Sequence, residues 1–283
     1  MRSLIANGSL PEAEQNLRAQ IAAQPGSADA HYLLGYVLFR EAKAKESLAE
    51  YTEAARYRKP DAYDLRVVGA DYVVLGDYSD ADKWFTQSLA WAPGDALTWY
   101  YLGRTKYNEN RFEEAVRAFE KTLQLDPRNI KAEDNLGLSL QALQRPDEAQ
   151  EAYKRAIEWQ ANDPHKNFAP FLDMGALLLE QDQAREATPY LEESVRIAPE
   201  SVKAHQQLGK AYFAQQDFTK AQRELEKALE LSPNDAPSHY VLGQIYRKQG
   251  LSARAKEQFE VFAKLNGSHS TQETPELPPS PQK

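Results

Sequence analysis

Apolar side chains recur along most of this chain at spacings of three and four residues, the period of a helix that buries one face. The amphipathic runs come in pairs, here called helix A and helix B, and the pair itself repeats. Gly35, Gly69, Gly103 and Gly137 are each 34 residues apart; after a step of 38 to Gly175, the interval returns to 34 with Gly209 and Gly243. A large apolar residue precedes each glycine: Leu34, Val68, Leu102, Leu136, Met174, Leu208 and Leu242. Twelve residues after each comes a small one (Ser47, Ala81, Ala115, Ala149, Ala187, Ala221, Ala255), and four further on a bulky one (Tyr51, Phe85, Phe119, Tyr153, Leu191, Leu225, Phe259). This spacing predicts that glycine and small residue meet where helices A and B approach closely, with the bulky side chain filling the gap beside them. Pro93, Pro127, Pro199 and Pro233 close four units by ending helix B. A lone helix pair cannot bury its apolar face, so neighbouring units must stack.

Trp99, Leu102-Gly103, Ala115, Phe119 and Pro127 together resemble the signature of the tetratricopeptide repeat (TPR), a 34-residue helix–turn–helix unit. The resemblance covers seven full units, from about Ala28 to Leu265, plus half a unit before them. It implies an all-α fold, a right-handed α-solenoid of TPR helix-turn-helix repeats. The expected organisation is a partial repeat over 1–27 (its second helix only), repeats 1–4 over 28–161, repeats 5–7 over 162–267 and a disordered tail over 268–283. The tail is rich in Pro, Ser and Thr and has no apolar period.

Several departures carry information. Lys59 stands where the first unit should close on proline, with Pro60 one place late. Four extra residues between Trp159 and Phe168 either lengthen helix B by about one turn or bulge the loop. Lys106 holds a position where an apolar side chain is usual, and Pro189 should bend the fifth helix B without ending it. Register puts Gly8 at an A-to-B turn, so Met1 falls inside a helix A, which reads as a piece of a longer parent.

Composition narrows the function. The chain has no cysteine, which removes disulfides, thiolate metal sites and a Cys nucleophile. A net charge of -8 argues against sequence-independent nucleic-acid binding. No run of 18 apolar residues exists, so membrane insertion is not expected, and MRSLIANGSL has no signal-peptide pattern. The compartment stays open: cytoplasmic by default, periplasmic if a longer parent carried a signal peptide. No phosphate-binding, zincin or nucleophile-elbow motif occurs, and no cofactor is expected. His31, His205 and His239 share the slot that Trp99 and Phe171 occupy elsewhere, and read as packing histidines rather than metal ligands.

The resemblance further implies that helix A of each unit lines a binding groove, with contacts from its non-framework positions. Basic residues there are Arg40, Arg66, Arg104, Lys131, Lys203, Lys210, Arg247 and Lys248, against acidic Asp29, Asp134, Asp173 and Glu180. The groove is thus net positive on an acidic chain, which suits an acidic peptide. Tyrosine concentrates in the first three units, and Tyr with Arg is the pairing of binding hot spots; alternatively, some of these rings pack between neighbouring A helices. The candidate partner-binding residues are Tyr32, Tyr36, Arg66, Tyr100, Tyr101, Arg104, Tyr107, Asn108, Lys131, Asn135, Gln206 and Lys210. The two-carboxylate clamp of chaperone-binding TPR domains is incomplete: Ala70 and Tyr101 stand where the resemblance requires Asn. The reading is a non-enzymatic scaffold for a protein or peptide. Two others stand beside it: the recruiting part of a larger enzyme or secretion-type assembly, and self-association through uncapped ends.

Overall fold

The computed structural model describes residues 1–270, and every regular element among them is an α-helix. Two compact units divide the chain, Met1–Ala152 and the segment from Tyr153 onward. The first holds α1 (Arg2–Ala6), α2 (Leu10–Ala23), α3 (Ala28–Arg40), α4 (Ala44–Ala55), α5 (Ala62–Val74), α6 (Tyr78–Trp91), α7 (Ala96–Asn108), α8 (Phe112–Leu125) and α9 (Ile130–Ala142). The division falls inside α10 (Pro146–Trp159). The second unit continues with α11 (Ala169–Glu180), α12 (Ala184–Ile197), α13 (Val202–Ala214), α14 (Phe218–Leu231), α15 (Ala236–Lys248) and α16 (Ser252–Ser270). Six of the seven A helices begin seven residues before their glycine, the exception being α11.

The glycine of helix A works by close approach. A Cβ on Gly103 would lie 2.6 Å from the Phe119 ring, and one on Gly209 would lie 2.6 Å from Leu225. No real side chain tolerates that distance, so only glycine lets the bulky residue of helix B seat against helix A. The small residues beside it, Ala81, Ala115, Ala187 and Ala221, are fully buried. Ser47 takes the same place in the first repeat, and its hydroxyl lies 2.8 Å from the Gly35 carbonyl and 2.5 Å from the buried carboxyl of Asp71. A hydroxyl has one proton, so both contacts are met when Asp71 is protonated and donates to Ser47. Burial pushes the Asp71 carboxyl up to about 7, in keeping with that state.

The slot shared by histidine and tryptophan joins repeats. His31 contacts Glu50 on helix B of its own repeat at 2.6 Å and the Pro25 carbonyl of the preceding turn at 2.9 Å. His205 bridges Glu224 and the Pro199 carbonyl, and His239 bridges Gln258 and the Pro233 carbonyl, at 2.7–3.0 Å. Trp99 makes the carbonyl half of this latch, its Nε1 donating to Pro93 at 2.9 Å. The closing prolines therefore do more than end helix B: their carbonyls receive the next repeat.

Lys106, unusual in sequence, is buried and reaches the Asp82 carboxylate of the previous helix B at 2.6 Å and Glu114 at 3.3 Å. Tyr212 uses the same position to donate to Glu192 at 2.5 Å. The A-to-B turns carry one left-handed residue each, with Gly8, Gly76 and Gly250 suited to it and Ala42, Gln144, Asp182 and Gln216 adopting it at φ near +60°.

Two details differ from the sequence reading, and another decides between its alternatives. Residues 1–27 contain the short α1 as well as the second helix α2. The four extra residues bulge the loop and leave helix B unlengthened: α10 stops at Trp159, and the buried Gln160 side chain accepts from the Asn167 backbone N–H at 2.6 Å, folding the loop onto itself. This delays α11 by one residue, to Ala169. At the far end α16 runs to Ser270, three residues into the expected tail; residues 271–283 of that tail lie outside the described residues. Pro189 sits inside α12, which continues through it.

Candidate functional site

The A helices of the first unit line a furrow made of two adjoining hollows. The larger, about 600 Å³, lies between α1, α3 and the start of α5. Its walls are Ile5, Ala6, Asp29, Tyr32, Leu33, Tyr36 and Arg40, closed by Tyr51 of α4, Arg58 from the turn after it, and Asp61, Tyr63 and Asp64. The smaller, about 260 Å³, runs from Tyr36, Phe39, Arg40 and Tyr63 past Arg66, Val67 and Ala70 to Leu97 and Tyr101 of α7. Tyr36, Arg40 and Tyr63 border both hollows.

Local sequence explains the shape. Asp61 and Asp64 form a reciprocal capping box at the start of α5, each carboxylate accepting the other's backbone N–H at 2.8–2.9 Å. That box fixes both carboxyls at the rim. Burial raises the Asp64 carboxyl to about 6, although the Asp61 backbone N–H opposes the shift. The Tyr36 and Tyr63 rings lie 5.7 Å apart. A hydrogen bond from Tyr63 lowers the Tyr36 phenol, whereas burial followed by that same bond raises Tyr63. Arg40 lies over the Tyr36 ring at 5.9 Å and Arg66 over Tyr63 at 4.8 Å.

The expected site residues divide into two kinds. Tyr36 and Tyr101 are half-buried in the furrow wall, while Arg104, Asn108 and Lys131 are exposed on the same series of A helices. Arg40, Arg104 and Lys131 have no carboxylate partner among the described residues. The others are engaged within the fold. Tyr32 is buried and donates to the Arg58 carbonyl at 2.7 Å. Arg66 is ion-paired with Asp95, which also caps α7 through the Leu97 N–H and the Thr98 hydroxyl. Tyr100 is only 9% exposed and packs on Phe119, with burial raising its phenol. Tyr107 meets Phe112 edge-on at 5.4 Å, and the Asn135 amide donates to the Lys131 carbonyl of its own helix at 2.7 Å. In the second unit, Gln206 is buried and donates to Asp235 at 3.0 Å. Lys210 is half-buried there, its ammonium lowered by desolvation against the opposing pull of Asp235.

Models of the tetratricopeptide repeat match residues 2–65, 96–129, 129–200, 178–245 and 213–263, which together take in most of the chain. The chain belongs to the tetratricopeptide-repeat family. Over 55 residues this TPR chain is 47% identical to the peroxisomal targeting signal receptor of Candida albicans, a match spanning 19% of the chain and 9% of the receptor. The TPR chain thus corresponds to a small part of that relative's length. A tetratricopeptide repeat protein from Parabacteroides merdae superposes with a TM-score of 0.68 at 19% identity, over 86% of this chain and 95% of its own. YrrB, described as a TPR protein with an unusual peptide-binding site, superposes with a TM-score of 0.52 at 21% identity, over 66% and 94%. At such identities the likeness is one of fold.

Position in the TPR repeat accounts for which wall residues the sequence reading passed over. Tyr51 belongs to helix B, Arg58 to the turn between repeats, and Asp61 precedes helix A, so a survey of helix A positions does not reach them. The capping-box spacing of Asp61 and Asp64 was the available signal. Among the described residues, no three His, Cys, Asp or Glu side chains group as a metal site, and no helix is long and apolar enough to cross a membrane.

Proposed function

We propose that this TPR chain is a non-enzymatic scaffold that holds an extended acidic segment of another protein in the furrow of its first unit. The observation that carries the reading is the state of the charges on the A helices. Among the described residues Arg40, Arg104 and Lys131 have no carboxylate partner, while Arg66 is paired with Asp95 and Arg58 with Asp29 and Asp64. Unpaired cations beside a wall of tyrosines attract carboxylates, and the phenols supply hydrogen bonds on a rigid apolar surface. The peptide-binding site named for YrrB, a protein of similar fold, is in keeping with this use.

The test is an Arg40→Ala/Arg104→Ala double variant, both positions being exposed. Its affinity for an acidic reporter peptide should fall by about tenfold or more, with the salt dependence of binding reduced. Helical content by circular dichroism should match the parent. Unchanged affinity in a fully helical variant refutes the assignment. Tyr100 is unsuitable for this purpose, since truncating so buried a ring would damage the stack whatever its part in binding.

A further inference from the structure

The larger hollow contains one group that the fold leaves unsatisfied. Tyr51 packs its ring against α3 at Gly35, where no Cβ intervenes, and only 4% of the residue is exposed. Its hydroxyl is buried and has no hydrogen-bond partner among the described residues. The residue is one wall of the hollow, and the groups whose charge acts on its phenol include Asp61, Tyr63 and Asp64 of the same walls. Buried polar groups are nearly always paired, and a lone one at the floor of an open cleft is a place where a ligand completes the count.

The charges around it restrict the ligand. Asp29, Asp61 and Asp64 line the hollow, and a single cation answers them. That cation, Arg58, lies 3.4 Å from Asp29 and 3.6 Å from Asp64, with its guanidinium 4.2 Å over the Tyr32 ring. The other lining cation, Arg40, rests on Tyr36 and has no carboxylate partner among the described residues. Three carboxylates against two lining cations, only one of which engages them, leave the hollow net negative. An anion there would meet like charge, and an apolar side chain would leave Tyr51 unpaired. An ammonium or guanidinium donates to the phenol oxygen and to carboxylates, and is attracted to the faces of tyrosine rings. The chain's own Arg58, half-exposed on Tyr32, shows that these walls accept such a group.

We propose that the α3–α5 hollow is a socket for a lysine or arginine side chain of the bound segment, so that the furrow selects a segment carrying one cation among its acidic residues. The inference rests on the furrow being the binding face. Burial holds the Asp64 carboxyl near 6 in the free protein, facing Asp61, Arg58, Tyr32 and Tyr51. A cation in the socket lowers that value, so binding at pH 6 releases protons.

The experiment uses the full chain and two fluorescein-labelled acidic octapeptides that differ at one central residue, arginine or its neutral isostere citrulline. The arginine peptide should bind about tenfold more tightly. Tyr51→Phe should shrink that preference while leaving the melting temperature unchanged or raised, because the hydroxyl it removes has no partner in the free chain. Asp64→Asn, which keeps an oxygen for the capping box, and the exposed Asp29→Asn should shrink it too. Arg104→Ala should weaken both peptides equally. Equal binding of the two peptides by the parent chain overturns the socket and leaves the furrow standing. If neither peptide binds and the Arg40→Ala/Arg104→Ala change has no effect, the furrow reading falls and the socket with it.

Discussion

Gly103→Ala puts the packing argument at its sharpest, because two known effects oppose each other there. Gly103 lies inside α7, and alanine in a helix interior is favoured over glycine by about 0.8–1 kcal/mol. Against this, the new Cβ would stand 2.6, 2.8 and 2.9 Å from three atoms of the Phe119 ring. Carbon atoms in contact sit about 3.5–4.0 Å apart, so the ring would have to retreat by roughly 1 Å. Phe119 has no exposed surface and is flanked by Tyr100 at a centroid distance of 6.0 Å, so no free space receives it. Overpacking of this sort costs about 1–3 kcal/mol, leaving a net loss of about 1 kcal/mol. Gly94→Ala is the control, since its added Cβ meets nothing within 4 Å and its backbone is not left-handed. That change should stabilise by about 0.4–1 kcal/mol. Urea titration followed by circular dichroism, with hydrogen exchange on α7 and α8 to localise the effect, distinguishes the two. A Gly103→Ala chain more stable than its parent would show that helix propensity outweighs the close approach and would refute the reasoning.

Asp71 makes the stability of the first unit depend on pH. Its folded-state value near 7 lies above the usual 3.8, so the native chain holds the proton more tightly than the unfolded chain. The associated stability is full below about pH 4 and is lost as pH rises through about 7. Asp71→Ala should therefore flatten the pH profile of urea unfolding between pH 5 and 8 and raise stability at the alkaline end by roughly 1–3 kcal/mol; an unchanged slope would count against a protonated Asp71. Ala42→Gly addresses the turns: Ala42 holds φ +59°, which costs a non-glycine residue about 1 kcal/mol, so the variant should melt higher by about 2–4 °C. A lower melting temperature would mean that the gain in unfolded-chain entropy wins.

The repeat, the helix boundaries and the glycine–bulky contact were legible because each depends on residues within one 34-residue unit. What escaped depends on pairs in different units. Arg66 and Gln206 share one repeat position, and both reach an aspartate 29 residues on, Asp95 and Asp235. That position therefore serves the joint between repeats there, although the family resemblance assigns it to the groove. Tyr32 likewise gives its hydroxyl to the turn that follows its repeat. In the sequence the histidine slot reads as a packing position. Its second function, engaging the preceding proline carbonyl, depends on a main-chain acceptor that no side-chain pattern marks. The left-handed residue of each A-to-B turn was marked only where glycine or asparagine holds it, as in Gly76 and Asn110.

The ring-to-proline latch is distributed unevenly, and its absence after the first repeat has a mechanical meaning. It needs a closing proline and, six residues on, a ring N–H, as in Pro25 with His31 and Pro93 with Trp99. Between the first and second repeats Lys59 and Leu65 occupy those places, so the latch cannot form. Tyr32 and Arg58 hold that joint, through the 2.7 Å bond to the Arg58 carbonyl and the guanidinium laid on the ring. Both residues are also walls of the larger hollow. Filling the hollow and seating α5 on α3 thus draw on the same contacts, so the residues that would meet an occupant are also those that fix the angle between the two repeats.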